Sequence, residues 1–289
     1  MRAQYDNIVM SSTLLWLDHT ILNKGAAFTN TSSFFYDVNS LYNGYNTYGS
    51  PFRQFVADES ISDLHGANII NSVKLNGVNT NRGSSNFANI NYDQGQVYFD
   101  SAVSSPNTTL SGDFAVKDFN TYITNDLEEK LLFETQFTVR NKTDLTATGL
   151  PPSTMTYPAI FLKNNGSRNE PIAFGGEDQT ETDIRAIVLS DDQYKIDAVG
   201  SILRDKVRTF IPLIPEAFMP FNALGDYRNN IQYNYTGLTD ASSTTGVFID
   251  NVYTSKIGGV TYTQKTNINP DVFSMIIDFE ISDIRAPRQ

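Results

Sequence analysis

Residues able to do chemistry are few in this chain, and their spacing gives them little to do. The two histidines, His19 and His65, stand far apart and in neither a His-x-His nor a His-Glu-x-x-His arrangement. They do not compose a metal site. Carboxylates are better candidates, because glycosidases need little else. Asp126, Glu128 and Glu129 crowd one turn, and Glu177, Asp178, Glu181 and Asp183 follow Gly175-Gly176. Glycoside hydrolysis needs two carboxyls roughly 5–9 Å apart across a groove, whereas acids strung along a polar loop are expected to be solvated. The second cluster also lacks the Asp-x-Asp-x-Asp-Gly order of a calcium loop. There is no cysteine, so thiol nucleophiles, disulfides and cysteine-held zinc drop out together. A Ser-His-Asp triad would have to come from distant residues, without a Gly-x-Ser-x-Gly elbow to present the serine. Neither phosphate-binding glycine motif occurs. The expectation is a non-enzyme with no catalytic residue, no metal and no cofactor.

The elements that would position any site read mainly as strands. Across Ala88–Thr124, apolar and aromatic residues alternate between turn signals. Ile90 and Tyr92 stand before Asp93-Gln94-Gly95, and Val97 and Phe99 after it, which predicts a hairpin with Gly95 at positive φ. A strand is expected over Asp113–Thr124, with Tyr122 out of phase and so marking a bulge. Asn76-Gly77 predicts a second hairpin. Leu131–Val139, Pro158–Leu162, Asp183–Leu189, Gly246–Tyr253 and Asp271–Ile281 read as further strands. Two helices stand out. Ser12–Asn23 has Leu14, Leu17, Ile21 and Leu22 on one face, with Ser11 or Ser12 to cap it and Gly25 to end it. Ser190–Thr209 opens on a Ser-x-x-Gln capping box, carries Ile196, Val199, Leu203 and Val207 inward, and is stopped by Pro212 and Pro215.

Composition narrows the partners. Hydrophobic residues make up 40% of the 289, enough for a sizeable core, and two units fit that length better than one. The net charge of −11 argues against a grip on nucleic-acid backbones, which takes clustered cations. DNA passing an acidic wall would be repelled and slide. No run is long and apolar enough for a membrane helix, and the N-terminal residues, with Asp6, Asp18 and His19, read poorly as a signal peptide. The aromatic run near the N-terminus supplies the candidate interface. Phe34, Phe35 and Tyr36 read as one strand with one face for the core and one for a partner. Tyr42, Tyr45 and Tyr48 sit in a Tyr/Asn/Gly stretch that is either a locally packed loop or a docking surface.

The stretches Leu14–Gly25 (LLWLDHTILNKG), Tyr45–Ile61 (YNTYGSPFRQFVADESI) and Ala88–Ser101 (ANINYDQGQVYFDS) resemble virion structural proteins of T4-like marine phages. The second half, with its capped helix and a closing strand ending in DFEIS, resembles the α+β subunits of phage neck and tail-terminator rings. In such subunits an N-terminal helix and a later helix pack on one sheet. The resemblance implies a small α+β domain with two helices on an antiparallel or mixed sheet, and the β-sandwich-like domain that the strand pattern gives would precede it or be inserted in it, a departure from such subunits. Residues 1–26 would be the N-terminal helix packed on the C-terminal domain, 27–140 the β-rich domain, 141–157 a linker and 158–289 the tail-terminator-like domain. The implied function is a non-enzymatic ring subunit of a tailed-phage virion at the neck or tail terminus. It would be a hexamer contacting other virion proteins, with genomic DNA passing unread and no membrane, assembled in the bacterial cytoplasm. The alternatives are a baseplate or capsid-decoration subunit, or a carbohydrate-binding module or glycosidase of a phage fibre, against which the single tryptophan, Trp16, argues.

Overall fold

The computed structural model describes residues 5–84, 86–103, 108–128, 130–131, 138–139, 156–172, 177–241, 245–256 and 272–285. In chain order the elements are α1 (Tyr5–Gly25), β1 (Phe28–Phe34), β2 (Tyr36–Tyr42), β3 (Tyr45–Gly49), α2 (Glu59–His65), β4 (Ser72–Leu75), β5 (Val78–Asn81), β6 (Phe87–Asn91), β7 (Gln96–Phe99), β8 (Leu110–Lys117) and β9 (Asn120–Ile123). The two-residue strands β10 (Thr138–Val139) and β11 (Thr156–Tyr157) follow. After them come β12 (Ala159–Pro171), β13 (Asp178–Ser190), α3 (Gln193–Arg204), β14 (Phe210–Pro212), α4 (Tyr235–Ala241), β15 (Gly246–Lys256) and β16 (Phe273–Arg285). The class is α+β, and mostly sheet.

Two four-stranded antiparallel sheets, ordered β1-β8-β4-β5 and β2-β3-β7-β6, form the sandwich-like part. Phe114 and Val116 from the first and Val97 and Phe99 from the second enter one buried apolar cluster. Both hairpins lie where the turn residues put them. Asn76 and Gly77 take φ of 49° and 83°, the pair of positive values that a type I′ turn demands. Gly95 takes φ of 62° between β6 and β7, and a Cβ there would collide with the carbonyl oxygens of Phe52 and Arg53. Glycine is required at 95 for conformation and for space.

Two strand readings need correction, for one physical reason: alternation reports burial but not which sheet a residue joins. Phe34–Tyr36 is not one strand. The chain crosses between the two small sheets at Phe35, whose ring packs 6.2 Å from Phe55 and 5.6 Å from Phe114. Asp113–Thr124 is not one bulged strand either. The chain leaves the first sheet after Lys117, and β9 pairs in parallel with β12.

That pairing makes β9 the edge of a third, mixed sheet of six strands, ordered β14-β15-β16-β13-β12-β9. The sheet thus draws a strand from ahead of the expected linker. The linker expected over 141–157 lies outside the described residues up to 155, and its last two form β11. Of the strand expected over Leu131–Val139, only Thr138–Val139 is described as strand. Leu131 closes a helical turn instead, its N–H donating to Leu127 O at 3.1 Å.

Helices α1 and α3 contact each other and the six-stranded sheet. Trp16 of α1 meets Phe279 of β16 edge-on at 6.1 Å. Ile196, Val199 and Leu203 of α3 join the same cluster as Ile184, Val188, Ile277 and Ile281 of the sheet. Helix α1 is already formed at Tyr5, the first described residue, and does not begin at Ser12. Ser12 is buried, and its hydroxyl accepts the Ile214 N–H at 2.9 Å, so it anchors a loop rather than capping a helix. Helix α3 is capped by Asp192, which accepts the Tyr194 N–H at 2.8 Å, while the Ser190 hydroxyl takes the Asp192 N–H at 3.2 Å. A carboxylate outcompetes the hydroxyl at a positive helix end. The helix closes at Arg204, short of the prolines, and Val207 is exposed beyond it. Among the described residues no helix is long and apolar enough to cross a membrane.

Candidate functional site

Two constellations of polar side chains lie beside α1, and its consecutive residues Asp18 and His19 enter one each. The first is built on Asp58, which precedes α2. Its buried carboxylate accepts the Ser60 N–H at 3.0 Å, the Ser60 hydroxyl at 2.7 Å and the Tyr235 N–H at 2.9 Å on one oxygen. The other oxygen lies 2.7 Å from His19 Nδ1. His19 stacks on Tyr235 with centroids 4.5 Å apart. Serine, histidine and aspartate have therefore met, but in the wrong order for acyl transfer. Ser60 Oγ approaches Nδ1, at 3.3 Å, the nitrogen Asp58 already holds. A hydrolase needs the acid on one ring nitrogen and the nucleophile on the other. Here Nε2 instead lies 3.4 Å from Asn23 Nδ2. The trio is a cap that ties α1, α2 and α4 together.

Three acids of the two clusters, Asp126, Glu128 and Glu181, are paired by the chain itself, and Glu129 lies outside the described residues. Asp126 pairs with Lys130 at 2.9 Å, and Glu128 with Arg185 at 2.5 Å. Asp278 takes the other side of the Arg185 fork, at 2.6 Å. Those bonds hold the guanidinium above its ordinary range. Glu181 pairs with Arg168 across β12 and β13.

The second constellation opens onto a cleft of about 690 Å³. Its walls come from α1 (Leu14, Leu15, Asp18), the β6–β7 hairpin, Tyr42, the segment from Gln54 to Ala57, β9 and the loop bearing Phe221 and Gly225, with Tyr233 beyond it. Gln54 organises the floor. Its amide donates to Asp93 at 2.7 Å and to Thr121 O at 2.9 Å, and its oxygen accepts the Thr121 N–H at 2.8 Å. Asp18 accepts from Lys117 at 2.7 Å and from the Thr121 hydroxyl at 3.1 Å. Behind the hairpin, the buried Arg53 donates to the side chain and carbonyl of Gln94. Burial lowers its pKa, with Asp93 among the groups opposing that shift.

Burial dominates the titration of the cleft's phenols as well. It raises Tyr98, which accepts a 2.8 Å bond from Asn91, to about 12. It raises Tyr122, stacked on Phe161 at 5.3 Å, to about 12. Among the described residues, the Gln96 amide nitrogen and the Tyr233 hydroxyl, both belonging to wall residues, are buried without a hydrogen-bond partner. Their residues are 2% and 4% exposed.

The expected interface residues are divided by the fold. Phe35 and Tyr48 are core; the Tyr48 hydroxyl accepts the Val103 N–H at 2.8 Å. Tyr36 is half-buried and Phe34 is 51% exposed at the end of β1. Tyr42 and Tyr45 both stack on Tyr98, at 5.5 and 6.2 Å, and Tyr42 reaches the cleft. Gln54, Gln96 and Tyr233 were not singled out from sequence. The available signal was a glutamine inside β7, all four of whose residues are buried. No protein-family model and no curated protein matches the chain.

Proposed function

We propose that the protein is a non-enzymatic structural subunit of a tailed-phage virion that assembles as a closed ring at the neck or tail terminus. The observation that carries this reading is the packing of α1 and α3 against each other and on one mixed sheet. It is the arrangement that the resemblance to neck and tail-terminator subunits implies. The sheet also offers a means of association. Among the described residues β12 pairs with β9 only as far as Leu162 and then runs on to Pro171, leaving one edge of its second half open. On the far side, β14 covers β15 only from Gly246 to Phe248. Open edges invite strand addition from a neighbouring copy, and a heterologous contact of this kind makes a ring when the rotation between copies closes. A subunit of net charge −11 would present DNA with a wall that repels it.

Light scattering on the purified chain, with negative-stain images of the same fraction, tests the reading. Closed hexameric rings are expected. A chain that stays monomeric at high concentration overturns ring formation.

A further inference from the structure

We propose that the cleft beside α1 binds a neutral, polyhydroxylated ligand, a pyranose unit of a glycan. The first argument is the pair of unanswered polar groups. A buried donor or acceptor without a partner costs roughly 1–3 kcal/mol, and such groups are rare in native structures. Here Gln96 and Tyr233 both line one cavity, and among the described residues neither the Gln96 amide nitrogen nor the Tyr233 hydroxyl, both closed to solvent, has a hydrogen-bond partner. Packing alone needs neither, since leucine and phenylalanine would fill similar volumes without that cost. On binding, both side chains turn their polar atoms toward the cleft: one ligand hydroxyl accepts from the amide, and a second exchanges a hydrogen bond with the phenol.

The second argument is charge. Asp18 is paired with Lys117 at 2.7 Å, and Asp93 lies within the field of the buried Arg53 guanidinium. Two acids and two bases cancel, so the site asks for a ligand without net charge. A nucleotide fits poorly, because both cations are already engaged and neither is left for a phosphate. The third argument is shape. Tyr42, 38% exposed, and Phe221, half-exposed, border the cleft with aromatic rings. The apolar C–H face of a sugar ring can lie on such rings while its hydroxyls reach amides and carboxylates. The volume lies within the range of about 300–1,000 Å³ common for small-ligand sites.

The experiment uses the full chain on a glycan array of bacterial surface-polysaccharide fragments. Saturation-transfer NMR with glucose, galactose, mannose and N-acetylglucosamine runs beside it. Saturable binding on either is expected, and fragments that bind more tightly than the free sugars identify a surface polysaccharide as the source. Gln96→Leu and Tyr233→Phe are then each expected to weaken the bound glycan about fivefold or more, with melting temperature unchanged or raised. A merely structural role for these groups would not separate affinity from stability in that way. No binding in either format overturns the proposal, and so does binding that both variants leave intact. Preferential capture of nucleotides or oligonucleotides at the same cleft also overturns it. The proposal is independent of ring assembly: a monomer that binds sugar removes the ring and keeps the cleft, and a ring that binds none does the reverse.

Discussion

The knot around Asp58 and the cleft around Gln54 are made from the same stock of residues: buried carboxylate, tyrosine and side chains that bond to backbone. They differ in closure. In the knot, Asp58 receives two backbone N–H groups, a hydroxyl and an imidazole, every donor coming from the chain itself. In the cleft, Gln54 is just as fully engaged, yet among the described residues the Gln96 amide nitrogen and the Tyr233 hydroxyl find no partner. A satisfied buried network specifies structure, whereas an unsatisfied one is costly unless something else completes it. Closure is thus the criterion that separates scaffold from site here, and residue type alone does not.

The largest perturbation tests whether both regions are as dry as their burial implies. Burial raises Tyr98 and Tyr122 of the cleft to about 12, and Tyr235 of the knot rises for the same reason. A phenol raised in the fold keeps its proton after the unfolded chain has lost its own. Stability is therefore full below the ordinary value near 10 and falls as pH rises toward 12. Alkaline titration followed by ultraviolet absorbance and circular dichroism is expected to show these phenols ionising together with cooperative unfolding. If the cleft phenols ionised near 10 with the fold intact, the cleft would be far wetter than its burial indicates, and the contrast would fail on that side.

Next in size is removal of the knot's centre. Asp58→Ala strands the Ser60 and Tyr235 N–H groups and deprives His19 of its partner. A loss of about 3–5 kcal/mol is expected, read from chemical denaturation. Glycan affinity of the folded fraction should not change, because Asp58 does not line the cleft. A loss below about 1 kcal/mol would mean the four bonds are not a closed network.

How much of this was legible in the sequence follows from the range of each interaction. Asn76-Gly77 and Asp93-Gln94-Gly95 declared their hairpins, because a positive φ is a local demand that few residues meet. The strands of the second half were readable from apolar runs, although β12 and β13 extend well past the predicted segments into polar residues. The start of α1 was not. The helix is buried over most of its circumference, including Ser12, Thr13 and Thr20, so the one-faced pattern that sets a boundary is missing. Sheet membership failed at Phe35 and at Asp118, where the chain changes sheets without any change in alternation. The cleft was the least legible, since its walls come from segments between Leu14 and Tyr233 that each read as ordinary strand, helix or loop. Only the fold makes Gln96 and Tyr233 neighbours of the same cavity.

The smallest effect tests closure itself most cleanly, because it uses one substitution at two matched positions. Tyr227 and Tyr233 are both buried, at 2% and 4% exposure, and both border Phe221, at 6.2 and 5.5 Å between ring centroids. The Tyr227 hydroxyl donates to Ala57 O at 2.7 Å, whereas that of Tyr233 has no hydrogen-bond partner among the described residues. Phenylalanine at 227 removes a made bond and leaves a buried carbonyl short of its donor, for a loss of about 1–2 kcal/mol. Phenylalanine at 233 removes only a buried hydroxyl that had gained nothing, so stability should hold or rise by up to about 1 kcal/mol. Equilibrium denaturation of both variants decides the matter. Equal losses at the two positions would show that Tyr233 is held by the chain after all. The cleft would then be a second closed network like the knot.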